Sequence, residues 1–159
     1  MLPSYKKQTP IPGIYEIANF TSLVILPRKP IEPRATSVYE PQWFQDFVHA
    51  YCREHQLRVA PDGSQLSLDF NCWINPHISL KGSLNPDSNG WHRDSFGPDD
   101  VLYCFIGIEG ATGTEYKDCW GGSWLSEPYK LYLTQNSMHR STGKEDEERI
   151  MYRAWVMNY

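Results

Sequence analysis

An imidazole and a carboxylate stand two residues apart in the run Gly90-Trp91-His92-Arg93-Asp94. In an extended strand, residues i and i+2 face the same way, so His92 and Asp94 present both groups on one face, able to hold one metal ion. A His-x-Asp pair alone is a weak signal, and two ligands do not complete a site. The third is expected from another strand. His139 is that candidate, in Asn136-Ser137-Met138-His139-Arg140-Ser141-Thr142 after the apolar run YKLYLTQ. Two histidines and one carboxylate form a facial triad with adjacent metal positions left open, which suits non-haem Fe(II) and activation of O2. The open positions accept a bidentate co-substrate and dioxygen.

Arg149 follows His139 by ten positions and opens the closing run RIMYRAWVMNY. By alternation, Arg149, Met151, Arg153 and Trp155 share one face. An arginine turned into an apolar interior is costly without a counter-charge. A dicarboxylate reaching from the metal to the guanidinium satisfies it in bidentate fashion. Arg149 is the favoured anchor. Arg153 remains open, either as the anchor in its place or as a substrate contact. Arg93 and Arg140 neighbour metal ligands and are expected on the opposite face. His49 and His55, flanked by polar residues, read as surface groups, and His77, after Pro76, as structural.

The elements that must position these groups are mostly short strands. From residue 66 onward, β-branched and aromatic runs alternate with clusters of Gly, Pro, Asn and Asp. Strands are expected over 66–74, 77–81, 90–95, 100–109, 113–118, 122–125, 129–135, 137–141 and 148–158. That spacing, with no long helical pattern between, indicates an antiparallel sandwich or barrel. Upstream, Trp43, Phe44, Phe47, Val48, Tyr51 and Cys52 form one broad apolar stripe, so residues 40–56 are expected to be a helix, with Pro41 in its first turn. Residues 1–41 carry seven of the twelve prolines and read as an extended arm with one strand, 19–26. The charge cluster KEDEER at 144–149 reads as a solvated hairpin loop.

Composition sets the outer limits. The chain has 159 residues, 40 % of them hydrophobic and 14 % aromatic, which excludes wholesale disorder and suits one domain. The net charge of −4 disfavours a protein built to grip a nucleic-acid backbone. No apolar run reaches the roughly 18–20 residues that span a bilayer. The first residues, MLPSYKKQTPIPG, lack an apolar stretch after their lysines, so no secretory signal is read and a cytoplasmic location is expected. Cys52, Cys72, Cys104 and Cys119 make no C-x-x-C pair, which argues against a zinc knuckle; Cys72 and Cys104 sit in apolar runs and read as buried hydrophobes.

The order His92-x-Asp94, His139, Arg149 resembles the 2-oxoglutarate and Fe(II)-dependent dioxygenases, and the likeness covers residues 66–159. GATGTEY at 110–116 is similar to the Gly-Thr-Glu-Phe segment of many members. YKLYLTQNSMHRST resembles the strand and turn before their distal histidine. The spacing of Arg149 and Trp155 resembles the closing strand of prolyl-hydroxylase-like members. The resemblance implies a double-stranded β-helix (jelly-roll) core over 66–159, within a single domain whose residues 1–65 supply the proline-rich arm, a strand and one or two helices. It implies that His92, Asp94 and His139 bind Fe(II) and that Arg149 pairs with the far carboxylate of 2-oxoglutarate. Thr114 and Tyr103 match positions that contact the co-substrate in some members. Trp91, Met151 and Trp155 could line a substrate pocket, or be ordinary barrel packing. The implied reaction consumes 2-oxoglutarate and O2, releases succinate and CO2, and hydroxylates a C–H bond. A small molecule or a peptide is the expected substrate. Asp94 stands where halogenating members need a small residue, so halide transfer is not expected.

Other readings explain less. His92-Arg93-Asp94 resembles the catalytic triplet of protein kinases, but the chain has no glycine-rich loop and no Asp-Phe-Gly. A zinc hydrolase accounts for the ligands but not for Arg149 or the GTEY segment. The alternative of another class is a metal-free jelly-roll scaffold that keeps the site residues. Family members usually carry far more chain around the core. The modest length here therefore predicts a site that is open or completed by a second copy of the chain.

Overall fold

The computed structural model describes residues 2–21, 36–37, 41–75, 90–94, 101–141 and 149–158. In chain order the elements are β1 (Lys7–Gln8), β2 (Tyr15–Asn19), β3 (Thr36–Ser37), α1 (Gln42–His55), β4 (Ser67–Asn75), β5 (Val101–Gly110), β6 (Thr114–Lys117), β7 (Ser123–Leu125), β8 (Lys130–Thr134), β9 (His139–Ser141) and β10 (Arg149–Met157). The fold is mainly β, as expected. Seven strands form one sheet in the order β1-β2-β8-β5-β10-β4-β3, and three form a second in the order β7-β6-β9. Every strand pair is antiparallel, consistent with a jelly-roll type of fold. The strand expected at 77–81 and most of the KEDEER loop lie outside the described residues. No helix among the described residues is long and apolar enough to cross a membrane.

The large sheet is covered on both faces, which explains why VLYCFIGI shows no alternation in sequence. On one face Phe105 of β5, Leu131 and Leu133 of β8, and Tyr152, Ala154 and Val156 of β10 pack against Phe44, Phe47, Val48, Tyr51 and Cys52 of α1. On the other face Cys104 and Ile106 of β5 and Trp155 and Met157 of β10 join Tyr132 of β8 and Tyr116 of the small sheet. Each core residue leaves water on one side or the other at about 1.5–3 kcal/mol per large apolar side chain. Burial pushes the Cys52 thiol up to about 11, as expected of a structural cysteine. Cys104 is buried too, and Cys119 is exposed.

The helix ends are governed by backbone geometry. Pro41 stands at the N-cap position with φ −58° and ψ 130° and gives no side-chain cap. Its fixed φ suits a helix entrance, although it lies one step outside the helical turn expected from sequence. At the other end, Gln56 adopts the left-handed conformation, and Arg53 and His55 bring basic groups to the last turn, where they complement the helix dipole. Gly113, between β5 and β6, is fixed by a close approach. A Cβ there would collide with the Ser126 carbonyl oxygen, while the Ser126 N–H donates to Thr114 O at 2.8 Å.

The strand expected at 19–26 falls mostly on residues 22–26, outside the described residues; β2, ending at Asn19, is a separate strand that the sequence pattern did not single out. Its buried polar member interrupts the apolar pattern. Glu16 is 8 % exposed, accepts the Tyr5 O–H at 2.6 Å and pairs with Lys130 Nζ at 3.0 Å. Burial raises its carboxyl pKa. The Tyr5 hydrogen bond and Lys130 outweigh burial, and the net direction is below the ordinary carboxylate value. A carboxylate depressed in the folded state stabilises the fold above its unfolded pKa, and that stability drains away as pH falls through the folded value. Unfolding followed by denaturant should therefore show stability falling below about pH 4.3, the ordinary glutamate value. Glu16→Gln should cost about 1–3 kcal/mol at neutral pH and flatten that acid limb.

Candidate metal centre

Residues 90–94, expected within a strand over 90–95, form no strand of their own; an isolated antiparallel bridge joins His92 to His139 at the edge of the small sheet. The His92 N–H donates to His139 O at 3.0 Å, and the His139 N–H returns to His92 O at 2.9 Å. This reciprocal pair sets the two imidazoles side by side, with ring centroids 4.5 Å apart. Each ring is then clamped in the same way. His92 Nδ1 lies 2.8 Å from Gly90 O, and His139 Nδ1 lies 2.8 Å from Ser137 O. A carbonyl can only accept, so the proton sits on Nδ1 and the Nε2 lone pair is left for a ligand. Burial, then the neighbouring His139, pushes the His92 pKa down, which favours the neutral, ligating form.

Asp94 closes the triad. Its Oδ1 lies 3.4 Å from His139 Nε2 and 3.9 Å from His92 Nε2. The three ligand atoms lie within 4.8 Å of one another. The other oxygen is held from the large sheet: Trp155 Nε1–H donates to Asp94 Oδ2 at 3.0 Å, and the Cys104 sulfur stands 4.0 Å away. Burial favours the protonated acid, but the surrounding cationic and N–H groups, the Arg153 guanidinium and the Trp155 indole among them, outweigh it. Together they hold the Asp94 carboxyl well below the usual carboxylate range. The side chains of Asp94 and His139 are 9 % and 10 % exposed, whereas that of His92 is 36 % exposed, so the site opens on the His92 side.

One feature tests whether the residues suit a metal. His139 Nε2 is buried and has no hydrogen-bond partner. A buried acceptor facing a carboxylate oxygen is an unfavourable arrangement by itself. A cation between them satisfies both, and the donor set of two imidazoles and one carboxylate fits a divalent transition metal.

The remaining predicted residues divide between two faces. Arg153 Nη1 lies 3.4 Å from Asp94 Oδ1, with the guanidinium stacked 4.3 Å from the Trp155 ring centroid. Met151 packs into the same face of the large sheet. Arg149 opens β10 opposite Gly110 of β5 and Asn75 of β4. Thr114 is buried in β6, opposite Ser141, and its N–H donates to Ser126 Oγ at 2.8 Å. Tyr103 packs with the α1 side of the core, across the sheet from Asp94. Trp91 carries Arg140 4.4 Å from its ring centroid and Lys117 at 5.5 Å. Arg140 also pairs with Glu115, so the expectation that it turns away from the ligands matches its position. Sequence reasoning missed the carbonyl clamps on both histidines and the anchoring of Asp94 by Trp155 and Cys104. The one available signal was the shared strand face of Arg153 and Trp155.

No family profile and no curated protein matches the sequence. Among solved structures, the chain is similar to a viral collagen prolyl hydroxylase from Paramecium bursaria Chlorella virus-1, determined as a 2-oxoglutarate complex. The identity is 9 % and the TM-score 0.44, over 80 % of each chain.

Proposed function

We propose that this chain is a non-haem Fe(II) dioxygenase that uses 2-oxoglutarate and O2 to hydroxylate a C–H bond of a small molecule or peptide. The observation that carries this reading is the buried Nε2 of His139, without a hydrogen-bond partner, facing Asp94 beside a second clamped imidazole. His92, Asp94 and His139 would hold the iron. The bound metal supplies the oxygen chemistry, in which 2-oxoglutarate loses CO2 to become succinate and the substrate gains a hydroxyl. The protein's own work is positional. The Gly90 and Ser137 carbonyls fix both imidazole tautomers, and the Trp155 N–H fixes Asp94 Oδ2 so that Oδ1 is presented for ligation. In this reading Arg149 pairs with the far carboxylate of 2-oxoglutarate and Thr114 lies along the co-substrate. In this reading the substrate arrives from the exposed His92 side. Tyr103 packs on the α1 side of the core and Trp91 against Arg140 and Lys117, so the reading gives neither a role.

Iron-loaded protein should form succinate from 2-oxoglutarate in air when offered a panel of amino acids, peptides, nucleosides and oligonucleotides. The stimulating member is expected among the amino acids or peptides, given the net charge of −4. Stimulation by oligonucleotides alone contradicts the substrate class. No iron-dependent succinate with any member contradicts the enzyme reading and favours a scaffold.

A further inference from the structure

Arg153 stands at the wrong oxygen for a bystander. Asp94 has one oxygen tied to Trp155 Nε1–H and one facing both imidazoles, and Arg153 Nη1 approaches the second, at 3.4 Å. That is the oxygen a metal would take. The guanidinium side chain is 11 % exposed, so its charge is enclosed with the ligands rather than dissolved in water. Without metal, Asp94 and Arg153 neutralise each other. A divalent cation placed among two neutral imidazoles and that pair adds two positive charges to the enclosure. A gain of that size in a partly desolvated site favours the binding of anions. Arg153 cannot shed its proton to relieve it.

We propose that Arg153 makes metal binding and carboxylate binding interdependent. In the metal-free chain its guanidinium holds the metal-facing oxygen of Asp94. In the loaded chain it gives that oxygen up and pairs with a carboxylate bound beside the metal. This rests on the metal-centre reading above and deepens it: Arg153 faces the metal end of the incoming molecule. By linkage, the factor by which a carboxylate tightens metal binding equals the factor by which metal tightens carboxylate binding. The planar fork of arginine suits both partners, since a carboxylate accepts it from either side.

The test is a Co(II) titration of the full chain by calorimetry, without added carboxylate and then with pyruvate or acetate. Pyruvate has the chelating end of a 2-oxo acid and no far carboxylate, so it isolates the metal end. Acetate stands for a lone carboxylate such as a substrate brings. Arg153→Met should bind Co(II) at least tenfold more tightly than wild type when no carboxylate is present. Pyruvate should tighten Co(II) binding at least tenfold more in wild type than in Arg153→Met. An equal differential gain with acetate identifies the carboxylate as a free-standing group; a gain with pyruvate alone identifies it as the chelating co-substrate. Arg153→Lys keeps the charge and should follow wild type. Arg153→Gln is the second neutral variant, used if methionine at this depth unfolds the sheet. If Co(II) binds each chain but wild type and the neutral variants agree within twofold throughout, the coupling is overturned and the metal centre stands. If wild type binds no Co(II), both fall.

Discussion

His139→Ala should lower the proposed 2-oxoglutarate turnover by more than about 100-fold while leaving the fold in place. Loss of groups that merely orient metal ligands costs about 10–100-fold, so loss of a ligand should exceed that range. His139 is the most enclosed imidazole of the site, and its Nε2 has no hydrogen-bond partner that a mutation would orphan. The two backbone bonds that join residues 90–94 to β9, between His92 and His139, are kept by alanine. Fold and chemistry are therefore separable at this position. Thermal unfolding with and without Co(II) makes the separation measurable. A ligand present at 100 times its dissociation constant stabilises by about 2.7 kcal/mol. Wild type should show that gain and His139→Ala should not. A variant that still turns over 2-oxoglutarate at more than a tenth of the wild-type rate would remove His139 from the site.

Trp155→Phe is the second large effect, and it acts one step from the metal. The indole N–H is a hydrogen bond to Asp94 Oδ2, and the same ring carries the Arg153 guanidinium. Phenylalanine preserves an aromatic face for the cation and most of the apolar volume in a residue only 4 % exposed. What it removes is the hydrogen bond that turns the other oxygen toward the imidazoles. Metal affinity should fall about 10–100-fold, as for other partners of ligating carboxylates. Stability of the metal-free protein should fall by only about 1–2 kcal/mol. Metal affinity within threefold of wild type would mean that Trp155 is core packing and nothing more. Comparison with Arg153→Met distinguishes the two neighbours of Asp94, because the account expects them to move metal affinity in opposite directions.

Where sequence and structure agree, the periodic signal was local. The stripe from Phe44 to Cys52 could only be the buried face of a helix, and α1 follows it. Alternation placed Arg149, Met151, Arg153 and Trp155 on one face, and the structure turns Arg153 and Trp155 to Asp94. The His-x-Asp spacing worked because residues two apart in an extended segment share a direction. What escaped was set by register between distant segments. Whether Arg149 or Arg153 comes beside Asp94 depends on how β10 slides along β5, where Arg153 falls opposite Ile106 and Arg149 opposite Gly110. Alternation along one strand is blind to that. Tyr103 was ambiguous for a related reason: β5 is covered by α1 on one side and the small sheet on the other, so apolar residues occupy both faces. β2 was missed because a buried glutamate interrupts its apolar pattern, and Tyr5 and Lys130, which make that burial tolerable, lie far from it in the chain or across the sheet.

Two clamped imidazoles and one tethered carboxylate are proposed to form an iron site. Metal content after anaerobic dialysis of the purified chain against micromolar Fe(II) tests it most directly. Wild type should retain one iron per chain, and His92→Ala, Asp94→Ala and His139→Ala should each retain far less. Iron that is absent from wild type, or undiminished in the three variants, would contradict it.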